Sequence, residues 1–202
     1  DDIRCFDYKL SIWQNVIRII NNVLYKLNKG KVMLNKKLEE ALNAQINAEF
    51  WSAYLYLSMS ADMSDKGMSG IANWFAIQFK EEQDHAIKIF NYVISRGGIV
   101  KLQPIDKVET KWKNPLAAFE DTLEHEQKVT SMINDLYALA TEEKDYATQS
   151  MLKWFIDEQV EEEESAKDII DKLKLIGDNG YGLYQLDKEL AARVYTAPTT
   201  AE

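Results

Sequence analysis

Residues 69–96, SGIANWFAIQFKEEQDHAIKIFNYVISR, decide how this chain is to be read. Ile71, Phe75, Phe79, Ala86, Ile89 and Val93 recur at steps of three and four, the period of one helix face turned toward a core. Between Phe79 and Ala86 the same step lands on Glu82, a carboxylate where the pattern calls for an apolar side chain. His85 follows three residues later, one turn along that face. Glu82 and His85 can therefore reach a single ion through an oxygen and a nitrogen.

Three other segments, 35–62, 115–141 and 146–175, share this periodicity, and each runs for about twenty-five residues or more. Ser64-Asp65-Lys66-Gly67 joins the first to the second, and Thr141 to Asp145 joins the third to the fourth, so each pair is expected to be an antiparallel hairpin. Between the pairs lies Gly97 to Asn114, with Gly97-Gly98 as a helix stop, Pro104 in its middle and Asn114-Pro115 as a start signal. Extended at roughly 3.3 Å per residue this connection reaches about 60 Å, whereas a helix of about 28 residues spans about 42 Å, so it can cross the whole bundle. After the break at Gly177-Asp178-Asn179-Gly180, Leu183 to Val194 is expected to form a short fifth helix. The expectation is an all-α four-helix bundle with a long crossover between the second and third helices and a short C-terminal fifth.

The composition agrees. Only 3 Pro and 8 Gly interrupt a chain that is 46% hydrophobic, enough for one sizeable core. Lys and Arg number 24 against 33 Asp and Glu, and the net charge of −9 argues against nucleic acid and favours cationic partners. The single cysteine, Cys5, allows no internal disulfide and no cysteine-based metal site. No apolar run reaches the length of a membrane span, and Ser11 to Leu27 is interrupted by Gln14, Asn15, Arg18, Asn21 and Asn22, which argues against a signal peptide. A soluble, cytoplasmic protein is expected. Residues 1–32 read as an N-terminal extension foreign to the periodic chain that Met33 opens, such as a misassigned gene start would add. Residues 33–194 read as the domain, and 195–202, small and polar toward the end, as a disordered tail.

Every long helix carries one carboxylate on its apolar stripe. Glu49 follows Leu38, Leu42 and Ile46; Glu126 follows Phe119 and Leu123; Glu162 follows Leu152, Phe155 and Gln159. With Glu82, each sits near the middle of its helix, so in an aligned bundle all four fall at about one height. A lone buried glutamate most often pairs with Lys or Arg. Here neither residue stands beside them on the stripes, and four converging carboxylates would repel and lose hydration at several kcal/mol each. A bound cation resolves the conflict. Hard oxygens with one imidazole suit iron or manganese, and the ligand count suits two ions: Glu49 and His85 on the first, Glu126 and Glu162 on the second, Glu82 between them, with positions open to water and dioxygen.

Around this set stand less specific candidates. Tyr56, seven residues after Glu49, can hydrogen-bond a ligand or pass an electron, or simply be a core tyrosine. Gln159, one turn before Glu162, can orient ligands or oxygen. Glu81, Glu158 and Glu161 flank the ligands and can form a weaker third iron site, although charges so placed are usually a solvated face. Trp154 and His125 read as packing residues.

These motifs resemble the bacterial non-haem ferritins from Met33 to Leu190: Asn47-Ala48-Glu49 with Tyr56, Glu81-Glu82-Gln83-Asp84-His85, His125-Glu126-Gln127, then Trp154 with Glu158-Gln159-Val160-Glu161-Glu162-Glu163, and Gly182-Leu183-Tyr184 with Asp187-Lys188-Glu189-Leu190. The resemblance implies a ferritin-like bundle that stores iron. Fe(II) would be oxidised with dioxygen or hydrogen peroxide at a di-iron ferroxidase centre inside each subunit, and ferric mineral deposited in a shell of twenty-four. It implies that Glu49, Glu82 and His85 bind the first iron, that Glu82, Glu126 and Glu162 bind the second, and that Glu81, Glu158, Glu161 and Glu162 form the third site. Bacterioferritins repeat the Glu-x-x-His pair on the fourth helix; residues 158–162 offer no histidine, and no methionine precedes Glu82 or His85 in the haem-binding manner, so no haem is expected. A non-storage di-iron oxidoreductase is the competing expectation, although one cysteine cannot build a rubredoxin-type site. A metal-free scaffold would need four neighbouring protonated acids.

Overall fold

Amide and carboxylate side chains start most of the helices in the computed structural model, which describes residues 34–197. Helix α1 (Lys36–Asp65) is capped by Asn35, whose side chain accepts from the Lys37 amide. Helix α3 (Pro115–Glu142) is capped by Asn114 with Pro115 in its first turn, and α4 (Tyr146–Ile176) by Asp145. Asn179 accepts from the amides of Tyr181 and Gly182 to start α5 (Gly180–Ala191). These caps satisfy amides that have no partner within the helix.

Helix α2 (Ser69–Ser95) has no side-chain cap of its own. Its Ile71 amide donates instead to Asp187 Oδ1 at 2.9 Å, from α5. That docking is close: a Cβ at Gly70 would sit 1.6 Å from the Asp187 carbonyl oxygen, so glycine alone fits there.

The four long helices pair as α1 with α2 and α3 with α4, and α5 lies against the start of α2. Hairpin, long crossover, hairpin is the connectivity expected from sequence. The fifth helix begins three residues earlier than expected and ends at Ala191, because the Asn179 cap draws Gly180 and Gly182 into its first turn.

The crossover runs the length of α1. It starts beside Glu39 and Asn43, which take the amides of Ile99 and Lys101, and ends beside Ser58 and Asp62, which bond the Glu109 carbonyl and the Trp112 amide. Buried Val108 and Trp112 anchor it, and the Trp112 indole donates to Asp121 at 2.7 Å. Across the other end, Arg96 forms a two-pronged pair with Asp145 at 3.0 and 2.9 Å, tying the end of α2 to the start of α4.

The apolar interior is divided in two. One half gathers Tyr56, Met59, Phe75, Phe119 and Ile169, the other Leu42, Ile46, Ile89, Val129 and Phe155. On every long helix the buried residues between the two halves include a glutamate. On α2 the buried face also passes through Gln78, while Phe79, expected on the stripe, is half-buried. Among the described residues no helix is long and apolar enough to cross a membrane. The N-terminal extension, Cys5, the segment Ser11 to Leu27 and residues 198–202 of the tail lie outside the described residues.

Candidate metal centre

Helical spacing places the four carboxylates, one from each long helix, in the layer between the two apolar halves. Glu49, Glu82, Glu126, Glu162 and His85 are all buried. One ligand atom each from Glu49, Glu82 and His85 lies within 4.8 Å of the others, a separation that one ion can span. His85 Nδ1 stands 3.6 Å from Glu82 Oε2. That imidazole is their only ion-pairing partner among the described residues; no Lys or Arg reaches the four carboxylates.

What does reach them is a set of amides and one phenol. Gln45 donates to Glu49 Oε1 at 2.8 Å, while Glu49 Oε2 is buried with no hydrogen-bond partner. Gln78 on α2 donates to Glu162 Oε2 on α4 at 2.7 Å. Gln159 donates to Glu126 Oε2 at 3.0 Å and also reaches the Glu126 carbonyl and Thr130. The Tyr56 hydroxyl donates to Glu126 Oε1. Each donor fixes one carboxylate oxygen and leaves the remaining lone pairs to converge. Tyr56 and Gln159 thus both touch Glu126, from opposite helices. Gln45 and Gln78 escaped the sequence reading. The available signal was an amide four residues ahead of Glu49 and of Glu82, hence on the same face.

The electrostatics follow from burial. Desolvation, then the charge of Glu82, holds the Glu49 carboxyl well above the usual range, and desolvation with the charges of Glu126 and Glu162 does the same to Glu82. Burial raises Glu126 as well, and burial with the charge of Glu126 pushes Glu162 up to about 8. Without a cation the layer prefers to hold protons; a divalent ion would replace them.

Glu81, Glu158 and Glu161 lie at one edge of this layer. Glu158 is half-buried, and desolvation together with the charges of Glu161 and Glu81 raises its pKa, whereas Glu161 is exposed. Glu81 pairs with Arg193. Trp154 packs edge-on against the His85 ring, centroids 5.4 Å apart, with the Lys88 ammonium 3.9 Å over its own ring. His125 fills the space between α1 and α3, 5.2 Å from Trp51 and hydrogen-bonded to Ser52; burial, then Lys128, lowers its pKa to about 4.

Comparison with known proteins agrees with this geometry. The Ferritin-like domain matches residues 39–176. A bacterial non-heme ferritin of Bacteroides fragilis (strain 638R) is 46% identical over 161 residues, covering 80% of this chain and 100% of the relative. One from Staphylococcus saprophyticus is 45% identical over 163 residues, covering 81% and 98%. A solved structure of an open pore ferritin from the hyperthermophilic archaeon Archaeoglobus fulgidus aligns with a TM-score of 0.79 at 50% identity, over 80% of this chain and 99% of that one. With its family match and relatives of this identity, the chain belongs to the ferritin-like family, among the bacterial non-haem ferritins.

Proposed function

We propose that this protein stores iron, oxidising Fe(II) at the buried carboxylate layer and depositing Fe(III) inside a shell of twenty-four subunits. The observation that carries the reading is the buried Glu49, Glu82 and His85 set, with its ligand atoms within 4.8 Å of one another and no Lys or Arg paired with it among the described residues. Glu49 and His85 hold one Fe(II) substrate ion, Glu126 and Glu162 the second, and Glu82 bridges them. Tyr56 and Gln159 orient Glu126. A third iron at Glu81, Glu158 and Glu161 is a waypoint toward the cavity.

Two Fe(II) each give one electron, and dioxygen takes two electrons and two protons to become hydrogen peroxide, which can itself serve as oxidant for further Fe(II). The Fe(III) product is harder and more acidic, so it hydrolyses and releases protons as it mineralises. The acidic chain, net charge −9, favours accumulation of cations. Assembly into a shell also fits the large apolar side chains left on the surface of α1 and the crossover, among them Tyr54, Leu57, Leu102 and Ile105. Haem has no part in this reading, and a cytoplasmic, reducing compartment keeps the substrate as Fe(II).

The test is Glu82→Ala. Losing the bridging ligand is expected to lower the initial rate of Fe(II) oxidation by at least about 100-fold, more than the loss of an outer partner of a metal ligand. Stopped-flow absorbance measures this, and a rate equal to that of the wild type would overturn the assignment.

A further inference from the structure

Beyond α5 the chain turns back and lies along α2. Asn73 donates to the Leu190 and Arg193 carbonyls at 3.3 and 3.1 Å. The Arg193 guanidinium stacks 4.8 Å from the centre of the Trp74 ring, donates to the Trp74 carbonyl at 3.3 Å, and reaches Glu81 Oε2 at 2.7 Å. Two residues on, the Tyr195 hydroxyl donates to Asp84, and the Lys80 ammonium lies 5.4 Å from its ring. Thr196 and Ala197 then roof a pocket of about 320 Å³ whose walls are Glu81, His85, Lys88, Trp154 and Glu158. Residues 192–197 thus form a strap across the edge where His85 of the buried layer shares one opening with Glu81 and Glu158, and exposed Glu161 stands close enough for its charge to act on Glu158.

The chemistry of that opening is unequal. Glu81 is neutralised by a guanidinium, with both side chains about a quarter exposed. Glu158 and Glu161 form no ion pair among the described residues, and their charges act on one another. Arg193 takes one of the two Glu81 oxygens, so a cation held at Glu81 beside Glu158 and Glu161 would lie next to the guanidinium, and two positive charges so close repel.

We propose that Arg193 sets the affinity of the outer carboxylate site: its guanidinium occupies Glu81 as an internal counter-ion and holds the strap shut until a divalent cation displaces both. The inference rests on the iron-storage reading for the identity of that cation. The consequence is a site kept deliberately weak, filled only when the buried layer is already loaded, so that iron passes through instead of being trapped. Arg193 is a positioning residue here, acting on iron through Glu81.

The experiment is anaerobic Fe(II) calorimetry on the assembled full chain, wild type against Arg193→Gln and Arg193→Lys. In the wild type, two tighter ions per chain are expected, followed by a weaker third. Arg193→Gln is expected to tighten only the third, on the order of tenfold, the scale of one partly buried charge pair. Arg193→Lys, which keeps the charge, is expected to stay near wild type. A crystal of the wild type soaked anaerobically in Fe(II) supplies a readout that needs no variant: iron beside Glu81 and Glu158 accompanied by separation of Arg193 from Glu81. Unchanged third-site affinity in Arg193→Gln, or iron bound there with the pair intact, overturns the proposal. Absence of the two tighter sites in the wild type overturns the iron-storage reading and the strap with it, whereas their presence with an unresponsive third removes the strap alone.

Discussion

Glu49, Glu82, Glu126 and Glu162 each replace an apolar side chain in a tightly packed interior, and each carboxylate placed there loses most of its hydration. The structure answers with amide and phenol donors that satisfy some oxygens and leave others bare, Glu49 Oε2 among them. Protons complete the balance in the metal-free protein. For these glutamates the folded pKa lies above the unfolded value of about 4.5, so their contribution to stability is fully present below that value and is lost as pH rises through the folded pKa, about 8 for Glu162. The metal-free protein is therefore expected to melt at progressively lower temperature between about pH 4.5 and 8, with anaerobic Fe(II) restoring most of the loss. The same linkage predicts that Fe(II) binding at pH 7 without oxygen releases more than one proton per chain, measurable by pH-stat. Proton-neutral binding would contradict it. At this scale the sequence was informative where periodicity and chemistry conflicted, since a glutamate on an apolar stripe is visible without coordinates. The spacing of Gln78 to Glu82 shows its face but not its partner, because it bonds across the bundle to Glu162, 84 residues away, instead of along its own helix.

Helix boundaries depend on caps and turns, and two of them lead to predictions. Lys144 closes the α3–α4 turn with φ of 55°, a left-handed conformation that a side chain strains, while the amides of Lys144 and Asp145 bond back to Thr141 and Ala140. Lys144→Gly is expected to stabilise the fold by about 0.5–1 kcal/mol, read from chemical denaturation; a loss of stability would contradict this account of the turn. Gly70 marks the opposite case. Gly70→Ala would drive a Cβ into the backbone of α5, so a loss of about 1–3 kcal/mol is expected, and an undisturbed melting temperature would mean that α5 does not dock as described. The four long helices were legible because their apolar period persists for many turns. The start of α5 was not, because Gly180 reads as the end of a break until the Asn179 cap is seen to hold it in helical geometry. The seat of the crossover along α1 was equally hidden: Glu39, Asn43, Ser58 and Asp62 are ordinary surface polar residues until the loop lies on them.

Over the whole molecule, one polar layer separates two apolar halves, and the connectivity of the chain puts one acid from each long helix into that layer. This division explains why a protein with so many buried carboxylates can fold: the apolar clusters on either side supply the packing, and the layer between them is hydrogen-bonded by amides and a phenol. The return of the chain over α2 belongs to the same scale. Arg193 and Glu81 lie 112 residues apart, and no local pattern in the sequence points from one to the other. The surface apolar side chains of α1 and the crossover fit burial between subunits, as the proposed storage shell requires. The most direct measurement is therefore a single sample titrated anaerobically with Fe(II) and then exposed to oxygen, with absorbance followed and particle mass read by light scattering. Rapid oxidation of two irons per chain in a particle of several hundred kilodaltons is the predicted result; rapid oxidation by a monomer or dimer, or a large particle without a two-iron stoichiometry, would contradict the account.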